Sequence, residues 1–191
     1  MARAHEEDVV HRDIKPHNIF LLEDRRVKVM DFGIARMTST SSQVLTRTGY
    51  QLGSFAWMAP EQFDGTADFQ TDIWSFGVTA YEFLTGAHPF LAGKAGLTTE
   101  EIFSRIVMAR YSHPLEVAPT LPTPVAEVIV RTMQKDRAQR YGAMDEVRLD
   151  LEALLGESGK GRPIRWCGRR IPIDWKATPI RLSRWCGRRW N

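Results

Sequence analysis

The fold and the chemistry of this sequence follow from the stretch His-Arg-Asp-Ile-Lys-Pro-His-Asn at residues 11–18. A second motif, Asp-Phe-Gly, occupies residues 31–33. Between the two lie a compact apolar run, a polar turn and a segment in which polar and apolar residues alternate. This pattern predicts a small β-hairpin. Because a hairpin returns the chain to its starting point, we expect Asp13 and Asp31 to face one cleft.

The polar side chains of these two motifs suit the transfer of a phosphoryl group. That reaction needs a carboxylate that accepts the proton of the attacking hydroxyl, a cation beside the moving phosphoryl group, and oxygen ligands for Mg²⁺. Asp13 has the carboxylate and Lys15 has the cation. Asn18 and Asp31 have the oxygen atoms that Mg²⁺ prefers.

The order of five motifs resembles that of the protein kinase family. The catalytic-loop pattern H-R-D-x-K-x-x-N is followed by D-F-G and by A-P-E, here at residues 59–61. Asp72 begins a segment similar to the family's D-x-W-S-x-G, whose aspartate binds the backbone of the catalytic loop. Residues 136–141 are similar to a late family segment whose last arginine pairs with the A-P-E glutamate, which implies a pair between Arg140 and Glu61.

The resemblance extends to the serine/threonine kinases of bacterial type. Lys15, two residues after Asp13, is typical of serine/threonine kinases. Residues 53–62 are similar to the G-T-P-x-Y-M-A-P-E-Q stretch of bacterial relatives. Phe55 in place of proline and Trp57 in place of tyrosine leave the reaction class intact but the substrate preference open.

This resemblance implies a chain that uses ATP and Mg²⁺ and moves the γ-phosphoryl group to a serine or threonine hydroxyl of a protein substrate. Asp13 is then the catalytic base, and Lys15 is the charge stabiliser that also contacts the nucleotide. Asn18 and Asp31 are the Mg²⁺ ligands and complete the cofactor site.

A regulatory segment is expected after the D-F-G motif. Residues 35–50 are rich in serine and threonine and predict a long loop. In related kinases a phosphate on this loop meets the arginine that corresponds to Arg12. We hypothesise that Thr46 or Thr48 is phosphorylated.

Helical periodicity and capping signals predict four helices after the hairpin. They cover residues 71–84, a segment that starts at a capping box of Thr98 and Glu101, residues 125–134 and residues 144–155. The glycine-containing stretch at 156–159 is expected to end the last helix. Two strands followed by helices indicate an α+β, mainly α-helical fold. The resemblance implies that residues 1–156 are the large, C-terminal lobe of a kinase domain, with a small β-hairpin.

The motifs of the family's smaller lobe, above all G-x-G-x-x-G, do not occur in this sequence. Electrostatic clamping and positioning supply most of the acceleration in phosphoryl transfer, so we expect this chain alone to be inactive. Three alternatives stay open: a non-catalytic lobe that binds kinases or their substrates, a truncated gene product, and a recorded start that is wrong, with the real gene extending upstream.

Charge divides the chain into two parts. Residues 1–156 have 16 Lys and Arg against 21 Asp and Glu, whereas residues 157–191 have 10 against 2. The second part repeats Arg-Trp-Cys-Gly-Arg-Arg and is expected to be a disordered basic tail. Such a tail either binds nucleic acid or a membrane surface, or is non-native sequence from a frameshift or gene fusion. The chain is not expected to bind nucleic acid, and the basic tail is the one segment that would do so.

The remaining signals concern compartment and metal binding. Apolar runs fall short of the roughly 18 residues of a membrane span, so none is expected. Two cysteines are too few for a disulfide scaffold, and a cytoplasmic protein is expected. Four histidines lack metal-ligand spacing and are interpreted as ordinary loop residues. They are His5, His17, His88 and His113.

Overall fold

The computed structural model describes residues 1–24, 26–32, 54–93, 96–158 and 180–181. The predictions for the loop at 35–50, for its two threonines and for Gly33 lie outside the described residues. The same holds for the basic tail apart from residues 157–158 and 180–181.

The described elements follow one another as a short helix, a hairpin and then a succession of helices. They are α1 (Ala2–Glu6), β1 (Ile19–Leu21), β2 (Val27–Val29), α2 (Phe69–Thr85), α3 (Thr99–Val107), α4 (Pro114–Val117), α5 (Thr123–Thr132), α6 (Met144–Ser158) and β3 (Ile180–Arg181). Short 3₁₀ turns cover Pro16–Asn18, Ser54–Trp57 and Pro60–Asp64. The mainly helical α+β architecture is the one that the sequence predicts.

The predicted hairpin is confirmed. β1 and β2 pair antiparallel, with Ile19 opposite Val29 and Leu21 opposite Val27. The two-residue strand β3 pairs antiparallel with the other edge of β1, which gives the strand order β2-β1-β3.

Helix α2 lies at the centre of the hydrophobic core. Trp74 and Val78 are fully buried and share a cluster with Phe90, Ile106 and Ile129. Helix α2 packs mainly against α5, and α5 packs in turn against α6. This helical core is the base on which the candidate site rests.

Helix α2 is longer than the predicted segment at 71–84. The Asp68 side chain caps its start and accepts a hydrogen bond from Gln70 N at 3.0 Å. Gly86 ends it in the left-handed region at φ 74°, as the sequence predicts. The cap adds two residues at the beginning of the helix because it satisfies a backbone N–H that would otherwise be unpaired.

The other helices follow their capping signals, with one correction. Thr98 and Glu101 form the predicted capping box, and Ile102 and Ile106 of α3 are buried. The helix predicted at 125–134 covers 123–132. Helix α6 runs to Ser158, three residues beyond the predicted 144–155 and within the stretch that is expected to end it. One glycine in a helix costs only about 1 kcal/mol, so Gly156 alone does not stop it.

Among the described residues, no helix combines the length and the apolar composition that crossing a bilayer requires.

Candidate active site

The catalytic loop at residues 11–18 is attached to the core by one buried carboxylate. Asp72, in the first turn of α2, is fully buried and accepts hydrogen bonds from His11 N and Arg12 N, both at 2.7 Å. His5 Nε2 lies 2.9 Å from the same carboxylate. The contact between Asp72 and the loop backbone is the one that the family resemblance implies. It also holds Arg12 in the left-handed region at φ 66°, which is unfavourable for a residue with a Cβ.

His11 joins the loop to the segment that leads to Asp31. Its ring is fully buried, with Nε2 3.0 Å from Met30 O and Nδ1 accepting from Asp13 N at 3.3 Å. Because Nδ1 is an acceptor here, these contacts fix the tautomer that carries its proton on Nε2. The ring also packs against Phe32, with centroids 4.7 Å apart.

Three of the four proposed site residues meet within hydrogen-bonding distance. Lys15 Nζ lies 2.8 Å from Asp13 Oδ2, and both side chains are largely buried. Asn18 Nδ2 donates to Asp13 O at 2.7 Å and to Asp13 Oδ2 at 3.1 Å. These bonds orient the Asp13 carboxylate and use the amide nitrogen of Asn18 as their donor.

The hairpin brings the backbone that precedes Asp31 to this cluster. Met30 N donates to Asn18 O at 2.8 Å, and Met30 O faces His11. Asp31 therefore directly follows Met30, whose backbone N–H and C=O both bond to residues of the catalytic loop. Asp31 itself is exposed and adopts φ 59°, a left-handed conformation that aspartate tolerates better than most residues.

The predicted pair of Arg140 and Glu61 is present. Arg140 Nη1 and Nη2 donate to the two carboxylate oxygens of Glu61 at 2.6 and 3.3 Å, and the arginine side chain is fully buried. The same guanidinium donates to Gln134 O and Gln70 O, both at 3.0 Å. The pair thus fastens the A-P-E turn to the start of α2.

The turn that precedes A-P-E is also bound to α2 and lies beside the catalytic loop. Ser75 Oγ donates to Trp57 O at 2.8 Å, and Trp57 Nε1 donates to Glu82 Oε2 at 3.2 Å. The Trp57 ring lies 6.2 Å from that of His17. Burial raises the pKa of Glu82 to about 6, and the bond from Trp57 opposes this increase only in part.

Two histidines correct the interpretation that all four are ordinary loop residues. His5 belongs to α1 and binds the carboxylate of Asp72. His88 is buried against Trp57, with ring centroids 4.9 Å apart, and burial lowers its pKa to about 3. Sequence reasoning also missed Glu82 and assigned no role to His11. Only the position of His11 in the H-R-D motif could have drawn attention to it.

Comparison with known proteins agrees with this geometry. Residues 1–150 match the family model described as protein kinase domain. The chain is 35% identical over 152 residues to a probable serine/threonine-protein kinase of Clostridium perfringens, covering 79% of this chain and 21% of the relative. It is 35% identical over 156 residues to the serine/threonine-protein kinase PrkC of Bacillus subtilis, covering 81% and 23%.

A third relative is the serine/threonine-protein kinase PknL of Mycobacterium tuberculosis, which is 37% identical over 158 residues. That match covers 82% of this chain and 38% of the relative. The chain therefore spans between about a fifth and two fifths of the length of these curated relatives.

Proposed function

This chain belongs to the protein kinase family, and from that premise we propose that it forms part of the catalytic domain of a serine/threonine kinase. The proposed reaction transfers the γ-phosphoryl group of ATP to a serine or threonine hydroxyl of a protein substrate. The observation that carries the proposal is the contact of Asp13 with both Lys15 and Asn18 on a loop fixed to the buried Asp72. The reaction is placed in the cytoplasm, which contains the ATP that it uses.

In this proposal Asp13 accepts the proton of the substrate hydroxyl. Its carboxylate is held by Lys15 and Asn18, so little reorganisation is needed when the hydroxyl arrives. Lys15 remains close to the attacked phosphoryl group and offsets its negative charge. These roles belong to positioning and electrostatics, which dominate phosphoryl transfer.

The donor set suits Mg²⁺. Asn18 and Asp31 offer an amide oxygen and a carboxylate, both hard oxygen ligands, and a magnesium site of this type takes its remaining ligands from water and phosphate oxygens. The bond from Asn18 Nδ2 to Asp13 leaves the amide oxygen as the metal-binding atom. When bound, Mg²⁺ neutralises the phosphate oxygens of the nucleotide.

The protein substrate is proposed to lie along the turn at residues 54–57. This turn flanks the catalytic loop, since Gln62 Nε2 in the following turn donates to Arg12 O at 3.3 Å. The Trp57 ring is 7% exposed, so the backbone of this turn and not that ring would face the substrate, and it lies 6.2 Å from the His17 ring of the catalytic loop. A segment of substrate that crosses this turn would pass beside the catalytic loop.

Regulation by phosphorylation is part of the same proposal. Arg12 Nε is buried and has no hydrogen-bond partner among the described residues. A phosphate on Thr46 or Thr48 would supply charge-assisted acceptors for this guanidinium. Phosphopeptide mapping of an active preparation tests the idea, and finding both threonines unmodified would remove it.

The metal assignment is tested with Mn²⁺ and a non-hydrolysable ATP analogue, which broaden nearby NMR signals. We expect selective broadening of the amides of Asp13, Asn18 and Asp31, and its loss in Asp31→Asn. Asp24→Asn is the matched control, because Asp24 is an exposed carboxylate in the turn of the same hairpin. Broadening that is absent, or that Asp31→Asn does not change, would favour the non-catalytic binding module.

An activity measurement addresses the isolated chain. We expect the 191-residue polypeptide to transfer no detectable phosphate from ATP, because its sequence contains no Gly-rich loop. Transfer that Asp13→Asn abolishes would contradict this expectation, while it would support the role of Asp13.

A further inference from the structure

A solvent-open cleft of about 530 Å³ lies on the surface of the helical part of the molecule, and no residue of the catalytic loop lines it. Its walls come from the C-terminal part of α2, the loop that follows α2, the end of α3 with the next residues, and α4. None of its lining residues belongs to the candidate active site. A cleft of this volume has room for a small organic molecule or a few side chains of a partner.

Two arginines line this cleft. Arg105 Nη1 donates to Phe90 O at 3.2 Å and to Ala92 O at 3.1 Å, so its guanidinium is held in place by the backbone. Arg110 is exposed. Within the ranges that the structure describes, neither arginine pairs with a carboxylate. A preorganised guanidinium with remaining N–H groups is suited to carboxylate or phosphate oxygens.

The rest of the wall is aromatic and apolar. Tyr81 and Tyr111 lie edge to face, with ring centroids 6.0 Å apart, and Val117 is 39% exposed at the rim. Burial raises the pKa of each of the two phenols to about 12, so both remain neutral at physiological pH. Glu116 supplies one negative charge, and the lining therefore has a net charge of about +1 from two arginines and one glutamate.

We propose that this cleft binds an organic anion, with a phosphate or carboxylate group on Arg105 and Arg110 and an aromatic or aliphatic body against Tyr111 and Val117. The combination is what distinguishes the site: the arginines alone would attract any anion, and the apolar wall alone would take any small hydrophobic molecule. The proposal is independent of the kinase assignment, because no active-site residue takes part in it.

The test compares three probes by NMR titration of the ¹⁵N-labelled chain: phenyl phosphate, inorganic phosphate and phenol. We expect phenyl phosphate to shift the amides of Gly93, Tyr111 and Val117 saturably and to bind at least about fivefold more tightly than either other probe. Equal affinity for inorganic phosphate would show an adventitious ion only, and an absence of saturable shifts would overturn the proposal.

Two substitutions are expected to change the affinity for phenyl phosphate in opposite directions. An effect on binding can therefore be told from a loss of structure. Arg110→Gln should weaken phenyl phosphate about fivefold by removing an exposed cation, whereas Glu116→Gln should strengthen it about threefold by removing the opposing charge. Arg148→Gln is the control, because this arginine lies on α6 in ion pairs of its own and should leave the affinity unchanged. Equal affinity in Arg110→Gln and Glu116→Gln would contradict the proposal.

Discussion

The catalytic loop and the hairpin that follows it supply residues to one candidate site, yet they are buried to different extents. Ile14 in the loop is 2% exposed, whereas Val27 in the hairpin is 63% exposed and Phe32 just after it is 37% exposed. The loop is fixed to α2 through the buried carboxylate of Asp72. The hairpin is joined to the loop mainly through backbone hydrogen bonds such as that from Met30.

This difference shows that the candidate site is held in place from the α2 side, through Asp72, and much less from the side of the hairpin. Substitutions on the α2 side should be costly because they leave buried polar groups unpaired or disturb close packing. Substitutions of the exposed hairpin side chains should change the free energy of unfolding little.

The largest effect is expected for Asp72→Ala. It leaves His11 N and Arg12 N without their acceptor in a buried environment, so we expect a loss of about 3–5 kcal/mol in the free energy of unfolding, measured with urea. Asp64→Ala, at an exposed position of the A-P-E turn, is the control and should cost less than about 0.5 kcal/mol. Similar losses in the two variants would refute the anchoring role.

A smaller effect is expected where α2 contacts α5. A Cβ at Gly77 would lie 2.2 Å from Thr132 Oγ1 and 2.8 Å from Met133 Cγ, so Gly77→Ala should destabilise by about 2–3 kcal/mol. Thr132→Ala should recover at least about 1 kcal/mol of this loss in the double variant. Gly156→Ala meets nothing within 4 Å and should stabilise α6 by about 0.5 kcal/mol. If Gly77→Ala and Gly156→Ala changed the free energy of unfolding in the same direction, the packing argument would be contradicted.

Glu82 on α2 should make stability depend on pH. Its folded-state pKa of about 6 lies above the ordinary value of 4.5, so the folded state binds more protons and stability falls as pH rises from about 4.5 to 6. Glu82→Gln removes this loss and should be more stable than the parent by about 1–2 kcal/mol at pH 7, with the difference vanishing near pH 4. The depressed pKa of His88 acts in both proteins and cancels in the comparison. A difference that does not vary with pH would show that Glu82 does not titrate in this range.

The smallest effect is expected in the hairpin itself. Val27→Thr changes an exposed side chain and should alter the free energy of unfolding by less than about 0.5 kcal/mol, while Ile14→Val in the buried loop should cost about 1 kcal/mol. Chemical denaturation of both variants measures the contrast. A larger loss for Val27→Thr would mean that the exposed face of the hairpin packs against something in solution.

Much of the fold could be predicted because its signals are local. The capping box of Thr98 and Glu101 starts α3 as expected, and Gly86 ends α2. The errors are at helix boundaries: the cap at Asp68 starts α2 two residues before the predicted position, and α6 runs through Gly156 to three residues past the predicted end. The site residues are predicted from motif order, and their roles remain a proposal.

The residues that sequence reasoning missed depend on contacts between distant segments. Nothing next to Glu82 in the chain indicates that Trp57 will lie against it, and His88 is buried against the same ring. The organic-anion cleft likewise forms only where four segments meet.

The amino-acid sequence alone determined the motif order, the hairpin, the helix caps and the division of charge, because each of these depends on residues that are close together in the chain. The tertiary structure decided which polar groups are buried, what packs against Glu82 and His88, and where a second cleft opens. Burial and hydrogen-bond partners depend on what packs against a residue, and the chain sets that only when α2, α3 and α5 come together.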